Sequence, residues 1–102
     1  MRIRYLAVAQ AEIQEAAEYY AAISPELGLS FRRELRQLMR LVGRMPMAWP
    51  PSGEGTRRCL MSRFPYLVIY APLPEEILVL AVGLQHRQPG FFLGRDDIQR
   101  QA

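Results

Sequence analysis

The sequence predicts an α+β fold of two layers: an antiparallel sheet of about four strands packed on an N-terminal helical hairpin. Three observations carry this. Apolar residues recur at helical spacing through the first half of the chain. The second half contains near-continuous runs of β-branched and aromatic residues, "LVIY" and "ILVLAV". A stretch rich in proline and glycine separates the two regions. The order is strand, two helices, then a meander of three strands, which places the helices together on the sheet. A chain of 102 residues holds one core, so residues 1–102 read as a single domain.

Each element has its own signal. "RIRYL", Arg2 to Leu6, alternates charged and apolar residues and reads as a strand with one wet face. From Ala9 to Ile23 the spacing is helical. Ala9, Ile13, Ala16, Ala17 and Tyr20 share one face, and Glu12, Glu15 and Glu18 lie on the other. Ser24 is positioned as an N-cap and Pro25 as a first-turn proline, so a second helix starts there. Its stripe is Leu27, Phe31, Leu35, Leu38 and Val42, with Arg33, Arg36, Arg40 and Arg44 opposite. So short a link predicts an antiparallel hairpin. Gly43 to Gly55, "GRMPMAWPPSGEG", reads as a loop. "TRRCLMSRF", "YLVIYAPL" and "EILVLAVGL" are the three strands, with "PLPEE" turning between the last two. The tail "GRDDIQRQA" reads as a last short turn of helix.

Composition bounds the function. Half the residues are hydrophobic and 23% are charged, a globular balance. The net charge of +3 favours an acidic partner without itself indicating nucleic acid. All 13 basic residues are arginine, so every cation is a planar fork suited to carboxylate, phosphate or an aromatic face. One cysteine, Cys59, and one histidine, His86, exclude an intramolecular disulfide and the usual zinc site. No cofactor or metal is expected. The N-terminal apolar run is too short for a signal peptide and no segment reaches the length of a membrane span, so a cytoplasmic location is expected.

The two apolar strands pose a covering problem. They are greasy on both faces, and a helical hairpin covers only one. An uncovered face is expected to bind a protein partner, in preference to self-burial by Trp49, Phe91 and Phe92 or to homodimerisation.

Several stretches, taken in order, resemble the RelE/ParE superfamily of toxins from type II toxin-antitoxin modules. "AEIQEAAEYYAAISPELGLSFRREL" looks like the family's first helix with its Tyr-Tyr pair, then a glycine and the phenylalanine of the second helix. "MPMAWPP" is similar to its proline-bracketed loop. "TRRCLMSRFPYLVIY" resembles its arginine strand, Phe-Pro-Tyr corner and next strand. "ILVLAVGLQHRQPGFFLGR" resembles the last strand and an Arg-x-Pro-Gly-aromatic-aromatic-x-x-Arg ending. The resemblance spans nearly the whole chain.

It implies one of two activities. RelE-like members cut messenger RNA in the ribosome; ParE-like members poison DNA gyrase. Cleavage at a 2′-hydroxyl needs a general base, a general acid and cationic stabilisation. Arg58, Arg63 and Arg87 could supply the cation, but His86, Tyr66 and Glu54 form no obvious proton-transfer pair. Where many members end the last strand in histidine, this chain has Leu84, and Phe91 and Phe92 cannot donate a proton. The resemblance therefore implies the ParE-like branch: a toxin neutralised by a cognate antitoxin that inhibits gyrase by protein binding, with no catalytic residue. The alternatives are a RelE-like ribosome-dependent endoribonuclease and a non-toxic binding module of the same fold.

Two surfaces are expected to carry this. His86, Arg87, Pro89, Phe91, Phe92 and Arg95 make a target-docking terminus. Arg58, Arg63, Tyr66, Leu67, Ile69 and Trp49 face the antitoxin. The arginines of the second helix read as a solvated face partly paired with the acids of the first, and no sequence-specific nucleic-acid binding is expected.

Overall fold

The computed structural model describes residues 1–87 and 90–95. Its elements are β1 (Arg2–Tyr5), α1 (Ala7–Ile23), α2 (Pro25–Arg44), β2 (Pro51–Gly53), β3 (Thr56–Leu60), β4 (Tyr66–Pro72) and β5 (Glu76–Leu84). The expected α+β fold holds, with two corrections to the sheet. It has five strands in the order β1-β5-β4-β3-β2. It is also mixed, because β1 runs parallel to β5. The extra strand is the end of the expected loop. Pro51–Gly53 pairs with β3 at the sheet edge, where a proline's missing N–H does no harm. The parallel β1 is possible because the helical hairpin, and not a tight turn, links it to the sheet. Arg4 then reaches Glu76 across the pair, with Nε donating to Oε1 at 3.0 Å.

The hairpin turns on one residue. Ser24 closes α1 through its N–H to the Tyr20 carbonyl, and its own carbonyl accepts from Leu27 and Gly28 at the start of α2. Its side chain caps nothing, contrary to the sequence reading; Pro25 supplies the helical start. α2 buries Gly28, Phe31, Leu35, Met39 and Val42, while α1 buries only the small residues Ala9, Ala16 and Ala17. Small faces let the two helices close in. A Cβ built on Gly28 would lie 2.8 Å from the Ala21 Cβ and 3.0 Å from the Ala17 carbonyl oxygen.

Between hairpin and sheet, Tyr20, Phe31, Phe64 and Tyr66 form a cluster of rings with centroids 4.8–6.1 Å apart. Phe64 and Tyr66 come from the Phe-Pro-Tyr corner, which Glu34 of α2 holds by accepting from the Ser62 and Arg63 N–H groups. The loop after α2 is tied down as well. The Tyr70 hydroxyl donates to the Pro46 carbonyl at 2.6 Å, and Arg57 donates to the Trp49 carbonyl at 2.6 Å. Burial pushes the Cys59 thiol up to about 12, which makes it a packing residue and not a nucleophile.

The covering problem is met in part within the chain. Leu67 pairs with Gly83, Ile69 with Ala81 and Ala71 with Leu78 across β4 and β5. The Phe91 ring lies over Gly83, and Phe92 packs in a pocket with Ala71, Leu80 and Thr56. Phe91 and Phe92 therefore cover part of the face opposite the helices. Phe92, at 4% exposure, belongs to the core. Self-burial by Phe91 and Phe92, the alternative to a partner, thus occurs on this part of the sheet. The expected helical turn of the tail lies almost wholly outside the described residues.

Gly28 separates two opposing effects. Alanine has the better helix propensity by about 1 kcal/mol, but its Cβ must push into the backbone and side chains of α1. Overpacking of this kind costs roughly 1–3 kcal/mol. Gly28→Ala should therefore lower stability in urea unfolding. An increase would show that the hairpin is not closely packed here.

Candidate functional site

β5 outlasts its neighbour. β1 pairs with it only as far as Val79, whose carbonyl accepts from the Leu6 N–H, while β5 continues to Leu84. The edge beyond Val79 would present bare backbone groups beside α1. Two side chains meet them. Glu12 accepts the Val82 N–H at 3.0 Å, and Arg95 donates to the Leu80 carbonyl at 3.1 Å. The same two residues pair with each other, Nη1 to Oε1 at 2.8 Å and Nη2 to Oε2 at 3.1 Å. Arg87 adds a third contact to Glu12 at 3.2 Å. Glu12 was read as a solvent-facing acid; its side chain is only 15% exposed and is the hub of this corner.

Phe91 is held between the two cations. The Arg87 guanidinium lies 4.2 Å and that of Arg95 5.3 Å from its ring centroid. The ring seats on Gly83 so closely that a Cβ there would approach it to 2.9 Å. The terminus named from the sequence thus divides. Arg95, Phe91 and Phe92 fold back and fasten the tail. Arg87 holds Glu12 with one nitrogen while its side chain stays 45% exposed. His86 is exposed on the turn after β5. Pro89 lies outside the described residues.

The other named residues also divide. Arg58 and Arg63 are exposed, beside the exposed Leu60. Tyr66 is half-buried in the ring cluster, and Trp49 half-buried against the core. Leu67 and Ile69 are buried, at 7% and 2% exposure, opposite Gly83 and Ala81 of β5. Of the candidate proton-transfer groups, Tyr66 pairs with Leu84 at the strand end that leads to His86, and Glu54 stands apart from both. Glu54 sits on the β2–β3 turn, level with Leu78, and His86 lies beyond Leu84, about 20 Å further along the strand. Burial, with Tyr20, Glu15 and Tyr19 nearby, pushes the Tyr66 phenol up.

A surface absent from the sequence reading lies between β1 and α2. A groove of about 750 Å³ runs past Met1, Ile3, Met39 and Leu41, and continues at Tyr5 and Arg36 into one of about 350 Å³ beside Ile13 and Leu35. β1 forms its wall as an edge strand, its outer backbone groups unpaired among the described residues. Alternation in "RIRYL" showed the apolar side of this strand, but not that it would lie at an edge. Among the described residues no cluster of His, Cys, Asp and Glu could hold a metal, and no helix is long and apolar enough to cross a membrane.

Comparison with known proteins agrees with this architecture. A family model described as the ParE toxin of the type II toxin-antitoxin system parDE matches residues 3–89. A solved structure described as the chromosomal ParDE TA system from P. aeruginosa is similar in fold. It has a TM-score of 0.72 and 18% sequence identity, over 82% of this chain and 95% of that one. No curated protein matches the sequence.

The corner around Glu12 sets expectations for mutation. Removing one partner of a largely buried ion pair leaves charge uncompensated and costs roughly 3–5 kcal/mol. Glu12→Ala should fall near the lower end of that range, because Arg87 is partly solvated. Phe92→Ala should cost about 3 kcal/mol or more as a core truncation. Urea unfolding measures both, and limited proteolysis should find the tail more readily cut in each. Losses under ~1 kcal/mol would mean that the tail is not fastened as described.

Proposed function

The chain belongs to the ParE toxin family of type II toxin-antitoxin systems, and from that premise we propose a toxin, held inactive by a cognate antitoxin, that inhibits DNA gyrase by binding it. The observation that carries the choice of binding over RNA cleavage is the commitment of Glu12. Both its oxygens are engaged by Arg95, Arg87 and the Val82 N–H, so this carboxylate at the end of β5 is no free base, and its neighbour there, Glu15, lies exposed beside Tyr66. His86 stands apart from Glu54, and a phenol pushed upward, such as Tyr66, is a poor base at neutral pH. Target contact falls to the exposed part of the terminus: His86, Arg87, the open edge of Phe91 and the neighbouring Leu93.

Purified gyrase with supercoiled DNA, and a purified translation system with a reporter message, test this. Supercoiling should be inhibited and the message should stay intact. His86→Gln should leave inhibition within a few-fold of the parent, since removing a true general acid or base costs ~100-fold or more. Cleavage of translated message that is lost in His86→Gln would replace this reading by a RelE-like endoribonuclease.

For the antitoxin, the groove offers apolar walls and an open strand edge, the two features that seat an extended peptide. Arg58 and Arg63 give polar contacts further along a wrapping segment. Leu41→Glu places a charge on the groove wall at a position already 41% exposed, so folding is preserved. It should weaken antitoxin binding by tenfold or more in calorimetry, and Arg58→Glu with Arg63→Glu should weaken it less. Unchanged affinity in both variants would remove this surface from the reading.

A further inference from the structure

α1 and α2 segregate charge. Arg33, Arg36, Arg40 and Arg44 all lie exposed on α2, spaced by three, four and four residues, and the last three border the groove beside β1. They form a line roughly 16 Å long at 1.5 Å per residue. Among the described residues none of the four makes an ion pair or a side-chain hydrogen bond. The acids that could offset them are directed elsewhere. Glu34 points to the Ser62 and Arg63 N–H groups, Glu12 to Arg95 and Arg87, and Glu76 to Arg4. Like charges at i and i+4 destabilise a helix. The helix dipole compensates a cation in the last turn, such as Arg44, but not those in mid-helix.

We propose that this line of arginines binds the phosphate backbone of duplex DNA without regard to sequence. Four planar forks in a row suit successive phosphates. No aromatic side chain interrupts the line between Arg33 and Arg44. Single strands and unpaired RNA loops are held largely by successive bases stacked on several aromatic rings, and beside this line there is only the half-buried Tyr5 next to Arg36. What is left is a duplex met through its charge alone, the mode of non-specific binding. The inference stands on the helix face and does not depend on the identity of the protein target.

Fluorescence anisotropy of the full-length chain with a labelled 20-base-pair duplex of arbitrary sequence tests it. The dissociation constant should fall in the range ~1–100 μM near physiological salt, and log K against log salt should slope between about −3 and −4 for four phosphate contacts. Arg36→Gln with Arg40→Gln should weaken binding at least tenfold at 50 mM salt and reduce the slope by about two. Arg36→Lys with Arg40→Lys should retain most of it. All four side chains are exposed, so circular dichroism should match the parent. Three results would overturn the proposal: no duplex binding at 50 mM salt, duplex binding indifferent to the glutamine changes, or tighter binding to RNA. Capture of a polyglutamate peptide without the duplex would likewise overturn it and assign the face to an acidic protein partner.

Discussion

A strand that outruns its neighbour sets the terms of this fold. β5 has β4 along its whole length but β1 along only its first half. The backbone groups past Val79 must still be satisfied, because an unpaired buried donor or acceptor costs as much as a lost hydrogen bond. Glu12 and Arg95 act as a substitute strand there, one accepting from Val82 and the other donating to Leu80. Glu12 comes from the helical layer, and Arg95 from the tail that covers part of the opposite face. Their ion pair therefore crosses the sheet edge and ties three layers together. The ring of Phe91, seated on Gly83 between two guanidinium groups, follows from that fastening.

The elements that were legible in the sequence are those with long, unambiguous periods. α2 carries four turns of alternating apolar and basic faces, and β4 and β5 are apolar at consecutive positions. Three features were not legible, each for a physical reason. β2 is three residues long, too short for a period to show, and begins with a proline that argues against a strand. The alternation in β1 identifies a strand but carries no information about direction, so a parallel partner at the far end of the chain left no local trace. Glu12 belongs to a series with Glu15 and Glu18 at spacing three. Nothing in that series says that the helix rolls its first member toward the sheet while the other two stay exposed.

The apolar back face shows a more general limit. Runs of hydrophobic residues state that a surface will be covered, and are silent on whether the cover is the same chain or another. Phe91 and Phe92 look alike as an interface anchor and as a plug for the core. Burial decides between them here, with Phe92 in the core and Phe91 half-buried beside Arg87.

This moves the available contact surfaces rather than removing them. At the end of the last strand a structural ion pair occupies Glu12, whose carboxylate is shared among three donors. The outer surfaces remain free of such duties. The β1 edge with its groove, which the arginines of α2 border, and the turn carrying His86 lie on separate parts of the molecule. A protein acting by contact can then engage several partners with residues whose alteration leaves the fold intact. Phe92 and Arg95 within the terminus, and Glu12 on α1, are the exceptions. Loss of activity on changing them would report the fold before it reported a target.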